Sequence, residues 1–278
     1  MTVKAKTKTN IKKAVSLAIL ALLASLAFIP LYWMVATSFT QPSLTMKFPP
    51  DIIPKNPTLQ NFKDLFERKI IFRWTLNSFI VAGTVTLAQI FVCAMAGYAL
   101  AKKKFPGSKA IFSIYIASMM IPTQVTLVPL YILVSKLGMV DTYQALILPA
   151  IAAPFGVFLM RQFMVSLPTE IIEAARIDGA SEFRTFAKII IPISKPALAV
   201  LGIFTFMGQW NSFLWPLIVT NTSEMRTLQA GLSLLQEQVP MQYSYLMASA
   251  TYSAIPMIIV FLAFQKYFLK GITVGAIK

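Results

Sequence analysis

Histidine is absent from this 278-residue chain, cysteine occurs once, and only ten acids face 25 lysines and arginines. Without histidine there is no Ser-His-Asp triad, no HExxH zinc site and no imidazole general base. The one cysteine, Cys93, allows no intramolecular disulfide. Set in a long apolar run, it reads as a small buried residue. The dipeptide Gly-Lys never occurs, so the phosphate-cradling G-x-x-x-x-G-K-[ST] loop is missing. This chain cannot hydrolyse ATP by that route.

The chain does have long apolar runs. It is 57% hydrophobic and only 13% charged, with a mean hydropathy of +0.69, outside the range of ordinary soluble domains. Six stretches each reach the ~20 apolar residues that cross a bilayer: Ala14–Phe39, Thr75–Ala101, Ala110–Val134, Tyr143–Met160, Ala197–Thr220 and Met247–Leu269. The first is too long for the ~7–15-residue core of a signal peptide and is expected to be a retained helix. These runs predict an all-α integral membrane protein with six transmembrane helices. No internal repeat and no soluble domain is visible. The expected organisation is a basic tail over 1–13 and one six-helix membrane domain over 14–278.

The net charge of +15 reads as topology rather than as a nucleic-acid surface. With both termini inside, seventeen of the 25 basic residues fall in inside segments, including Lys4, Lys6, Lys8, Lys12 and Lys13 and the "KKK" of Lys102–Lys104. The positive-inside rule therefore places both termini in the cytoplasm of a multi-pass protein. Outside, Leu59–Phe72 is loosely amphipathic and is expected to form a short interfacial helix.

The acids are placed informatively. Asp51, Asp64, Glu67, Asp141, Glu224 and Glu237 fall in predicted outside segments, and the other four lie in one inside loop. Proton-driven carriers need a titratable group within the span, and no span offers one. Sodium coupling through backbone carbonyls stays open. Solute movement would otherwise need energy from a partner.

That inside loop, about 161–196, holds "EAARIDGASEFRTFAKIIIPISKP" at 173–196. Pro168 can start a helix, with Glu170 and Glu173 near its positive end. Asp178-Gly179 stops it, since glycine takes the left-handed conformation that ends helices. Ser181 is a good N-cap for a second helix, with Phe183, Phe186, Ala187 and Ile190 on one face. The expected product is a helix–turn–helix bracket with Ala174 and Ala175 exposed on its first limb, open to close approach by another protein. A plain connector is the alternative.

Spacing favours the bracket. After "EAARIDG", nine residues intervene before Ile189, and "IIP" follows. This resembles the E-A-A-x-x-x-G-x9-I-x-L-P signature of ABC importer permeases, with Ile191 in place of the commoner leucine. "LNSFIVAG", "GYALAKKKFPG", "VPLYIL", "LMRQF", "WNSFLWPL" and "KGITVGAIK" extend the resemblance to the maltose-type carbohydrate branch over nearly the whole chain. The resemblance implies one half of a heterodimeric permease in a bacterial or archaeal cytoplasmic membrane. Its partners would be a second permease, paired cytoplasmic ATPase subunits that bind ATP and magnesium, an outside solute-binding protein, and a sugar. It implies no cofactor in this chain. Glu173, Ala174, Ala175, Asp178, Gly179, Phe183 and Phe186 would form the ATPase-coupling element, and Lys278 would belong to a tail reaching toward the ATPases.

Sugars are held by hydroxyl-directed hydrogen bonds and aromatic faces. "FMGQWNSFLWP" offers Gln209, Trp210, Asn211 and Ser212, with Trp215 further along; Thr123, Gln124, Asn77 and Gln89 are further candidates. The alternative for each is helix–helix packing. Importers of amino acids, polyamines or anions, an ion-coupled carrier and a scaffold protein are the competing functions. No catalytic residue and no metal ligand is expected.

Overall fold

In a computed structural model, residues 3–42, 53–238 and 242–274 are described. The extreme N-terminus, the middle of the proline-rich loop and Lys278 lie outside them. Among the described residues every regular element is helical, and they cluster as two compact units, Met1–Arg68 with Leu235–Ala254, and Lys69–Leu234 with Ile255–Lys278.

In the first unit, α1 (Val3–Ser38) is a 36-residue helix, about 54 Å long at 1.5 Å per residue. Its apolar span, Lys12–Ser38, is exposed from 12 to 32 and turns inward only near its end, where Ser38 is buried. The amphipathic segment is α2 (Gln60–Glu67), shorter than the sequence suggested. It turns Asn61 inward, where the amide donates to the carbonyls of Ser38 (2.9 Å) and Thr40 (2.7 Å) and accepts from Ser244 Oγ (3.2 Å). Phe66 meets Tyr252 edge-on at 5.4 Å.

The second unit carries the larger core. A tight corner at Lys69 (φ 31°) starts α3 (Ile70–Lys102) five residues before the predicted Thr75. Gly107, at φ 80°, ends the "KKKFPG" turn and opens α4 (Ser108–Ser118). The third apolar run is not one helix. It bends by 102° between α4 and α5 (Thr123–Lys136), because Pro122 takes an extended conformation (ψ 131°) at the N-terminus of α5 and restricts Ile121 before it. The fourth run is likewise interrupted. α6 (Tyr143–Ile147) and a 3₁₀ turn at Leu148–Ala150 precede α7 (Pro154–Val165).

The charged loop forms α8 (Glu170–Ile177), α9 (Glu182–Thr185), a π-helical turn at Phe186–Ile190 and α10 (Ile191–Ile193). The fifth run is α11 (Lys195–Trp210), broken before α12 (Leu214–Val219). α13 (Leu228–Gln238) and α14 (Tyr243–Val274) follow. Among the described residues four helices can cross a membrane by length and composition, or six if each bent pair is one span.

α3 packs on α7 and α11 around Cys93, Ala94, Tyr98, Val157, Met160, Met164 and Leu201. Close approach needs small residues. A Cβ on Gly97 would lie 2.7 Å from Met160 Cβ, and one on Gly156 2.7 Å from Cys93 Sγ. The thiol is buried, as expected.

Candidate functional site: a loop anchored in the core and a neutral cavity

The loop's boundaries follow local signals. Gly179 sits at φ 74°, its N–H donates to Arg176 O (3.1 Å), and Ala180 N–H reaches back to Ala175 O (2.9 Å), a Schellman termination. Ser181 Oγ accepts from Arg184 N–H (3.3 Å) as N-cap of α9.

Two expectations about the faces are corrected. Ala174 is exposed, but Ala175 is buried beside Ile172, because α8 lies with that edge against the protein. Phe183 and Ala187 are exposed, whereas Thr185, Phe186 and Ile190 are buried. Phe186 and Ile190 keep their expected inward places, while Phe183 on α9 and Ala187 in the π turn, with its i→i+5 bonding, do not. Phe186 and Ile190 enter the same core as α3, α7 and α11, and so does Ile172. The outward face holds Glu173, Ala174 and Asp178, with two large apolar side chains, Ile177 at 86% and Phe183 at 66% exposure.

Glu182 forms the loop's charged centre. It takes Arg176 Nη2 at 2.9 Å, pairs with Lys103 Nζ, and accepts from Tyr98 OH at 3.5 Å. The Lys103 and Arg176 bonds hold its carboxyl below the usual range, outweighing a small desolvation effect. Lys102 Nζ donates to Leu167 O at 2.5 Å, and Arg161 lies 3.8 Å over the Phe112 ring.

A separate cavity of about 570 Å³ is lined by Thr123, Gln124 and Thr126 of α5, by Pro149 and Ala150, and by Gln209, Ser212, Phe213 and Trp215. Its volume falls within the ~300–1,000 Å³ of small-molecule sites. Three helix breaks adjoin it: before Thr123, after Ala150, and at 211–213. Non-helical backbone at membrane depth is tolerated where it lines a cavity. Trp215 Nε1 is held by Ala145 O (2.9 Å), which fixes its ring at the wall. Leucines and these neutral polar and aromatic groups complete the lining, and none of the lining residues is charged.

The sequence candidates thus divide. Gln209, Ser212 and Gln124 converge on the cavity, with Thr123 and Trp215. Asn211 is exposed beside them but outside the lining. Trp210 is 1% exposed and packs on Phe79 and Phe206, with ring centroids 4.8 and 6.0 Å away. Asn77 is buried and satisfied. Its amide donates to Glu224 O (2.7 Å) and Arg226 O (2.8 Å), and its oxygen accepts from Tyr143 OH (2.6 Å). Gln89 bridges Ala150 O (2.6 Å) and Thr205 Oγ1 (2.7 Å). Both amides tie helices together, the packing role weighed for them above. Phe213 and Glu182 were missed; the two extra charges flanking Glu182 in the chain, Arg176 and Arg184, gave only a weak hint.

Asp141 clamps a second turn. At φ 62°, its carboxylate accepts from the N–H groups of Asn221 (2.8 Å) and Thr222 (3.1 Å) and from Thr222 Oγ1 (2.7 Å). Burial pushes this carboxyl up, but those donors and the Arg226 charge outweigh it and leave it below its ordinary value.

Residues 89–274 match the family described as the binding-protein-dependent transport system inner membrane component. This chain belongs to that family. It is a family of transport permeases rather than of enzymes. The chain is 38% identical over 261 residues to the arabinooligosaccharides transport system permease protein AraQ of Halalkalibacterium halodurans, covering 93% of this chain and 94% of that one. It is 33% identical to the sn-glycerol-3-phosphate transport system permease protein UgpE of Brucella abortus, covering 88% and 90%. Its fold resembles a chain of a bacterial ABC transporter involved in the import of the acidic polysaccharide alginate, with TM-score 0.79, 23% identity, and coverage of 96% and 99%.

Proposed function

We propose that this permease is one half of an ATP-driven importer for a neutral carbohydrate, set in a cytoplasmic membrane with both termini inside. It would pair with a second permease, receive sugar from an outside binding protein, and dock its 161–196 loop on a cytoplasmic ATPase that holds ATP and magnesium. Among the described residues no group of three or more His, Cys, Asp or Glu side chains could hold a metal ion. The names of its relatives support a small-solute importer. The uncharged cavity favours a sugar over a phosphate ester, because a buried anion needs paired charge.

The observation that carries the coupling reading is the two-sided loop. Ile172, Phe186 and Ile190 are rooted in the helix core, while Ile177 and Phe183 stand in water beside Glu173 and Ala174. Exposed apolar side chains on a rigid bracket mark a protein-docking surface. Closing of the ATPase pair then moves α8, and the shared core carries that motion to α3, α7 and α11. The cavity opens alternately to the two sides.

The test is the double substitution Ile177→Asp, Phe183→Asp, with the tagged protein purified in mild detergent. Loss of a copurifying ATPase and of sugar uptake, with unchanged thermal unfolding, is the expected result. Full retention of the ATPase and of uptake would remove this face from the docking role.

A further inference from the structure

We infer that Glu182 is a positioning residue that tethers the coupling loop to α3, so that a pull on the loop reaches the helix core. This rests on the importer reading above. Apolar packing resists compression, but with no directional bond it yields more easily to separation. The loop continues by covalent chain into α11 through the π turn, whereas it meets α3 through side chains alone. There Glu182 joins three elements. Arg176 comes from the last turn of α8, Lys103 follows the C-terminus of α3, Tyr98 lies one turn earlier in α3, and Glu182 itself opens α9. The Tyr98 ring also packs on Phe186, with centroids 5.4 Å apart, and Lys103 Nζ lies 5.2 Å from the Tyr98 ring centre. α3 is the helix against which α7 and α11 both pack. The tether therefore reaches the element best placed to turn the whole core. Lys102 holds the start of the loop at Leu167, and Glu182 holds its middle.

A tether of this kind sets how much of each ATPase stroke becomes transport. It does not set whether the ATPase binds, because the Glu182 carboxylate is engaged with Lys103, Tyr98 and Arg176 rather than belonging to the proposed docking face. The experiment uses the complete transporter, with its binding protein, in proteoliposomes, and measures solute imported per ATP hydrolysed. Glu182→Gln and Lys103→Gln are each expected to lower that ratio about threefold, the scale of one partly exposed ion pair. The ATPase should stay bound and keep its turnover. The double variant should fall no further than either single one, since residues acting through one bond are not additive. Lys103→Arg should retain the wild-type ratio.

A purely structural role would lower the yield or thermal stability of the complex and leave the ratio intact. An unchanged ratio in both single variants overturns the assignment, and so do effects that multiply in the double variant. If Glu182→Gln does not assemble, Lys103→Gln decides alone by the same ratio. A wild-type protein that holds no ATPase overturns the importer reading itself, whereas a coupled wild type with a coupled Glu182→Gln overturns only the tether.

Discussion

Replacing Asn77 by alanine separates a packing role from a pathway role. The amide donates to two carbonyls, Glu224 O and Arg226 O, and accepts from Tyr143 OH. Removing it takes that bond from Arg226 O and Tyr143 OH, while Glu224 O keeps Arg73 Nε at 3.3 Å, in a site where the asparagine itself is 0% exposed. An orphaned buried polar group costs about 1–3 kcal/mol. Water entering the space left by the side chain recovers part of that, so the expected loss is about 2–4 kcal/mol. Tyr143→Phe removes one of the three bonds and should cost about 1 kcal/mol. Asn77→Asp is at least as costly as alanine, because it turns a carboxyl oxygen toward two carbonyl oxygens. The assay is unfolding in mixed micelles against the mole fraction of denaturing detergent, with uptake measured in parallel. The order Tyr143→Phe, Asn77→Ala, Asn77→Asp in falling stability is expected, with uptake tracking the folded fraction. Wild-type stability in Asn77→Ala together with abolished uptake would refute the reasoning and return the amide to the passage.

Gly97→Ala should destabilise by about 1–3 kcal/mol, since its Cβ would stand 2.9 Å from the backbone nitrogen of Arg161 and α3 and α7 would have to separate. Gly83→Ala meets nothing within 4 Å and should be neutral or stabilising by up to about 1 kcal/mol; the same unfolding assay compares the two. Asp141 has a depressed carboxyl, so its contribution is fully present above its unfolded value of about 3.9 and is lost as pH falls through the lower folded value. Asp141→Asn, which tolerates the same backbone, should cost about 1 kcal/mol at pH 7 in so exposed a turn and show a shallower loss of stability below pH 4 than wild type. Equal acid sensitivity in both proteins would remove Asp141 as the clamp.

The parts of this molecule legible in its sequence are those whose causes lie within a few residues. Gly179 and Ser181 fix the loop's turn through bonds to Arg176, Ala175 and Arg184, and the sequence shows all of these side by side. The parts that were not legible depend on partners far along the chain. Asn77 is satisfied by carbonyls 147 and 149 residues away, and nothing near position 77 announces them. Ala175 is buried although Ala174 is not, because the tilt of α8 on the core decides which alanine turns inward. Phe183 lies off the predicted face and the π turn follows it at Phe186–Ile190; periodicity assumes i→i+4 bonding and has no sign for such a turn.

Stiffness and breakage occupy different parts of the second unit, and under the proposed importer reading this division lets one fold both transmit force and leave a passage. Gly97 and Gly156 let α3 and α7 touch backbone to side chain, Cys93 fills the contact, and Gln89 bonds α3 to both Ala150 and Thr205. Such a block resists internal slip, which would expose unpaired amides or open voids. The breaks at Met119–Pro122, at 151–153 and at 211–213 all adjoin the cavity, and prolines at 122, 149, 154 and 216 stand in or near them. Backbone freed by a proline must find hydrogen bonds, and within a membrane a polar cavity or a neighbouring helix supplies them. Under the importer reading, the prolines in these runs stand where a passage would lie. The breaks and the Gly97–Met160 contact involve different residues, so under the importer reading the lever can stay rigid while the cavity changes shape.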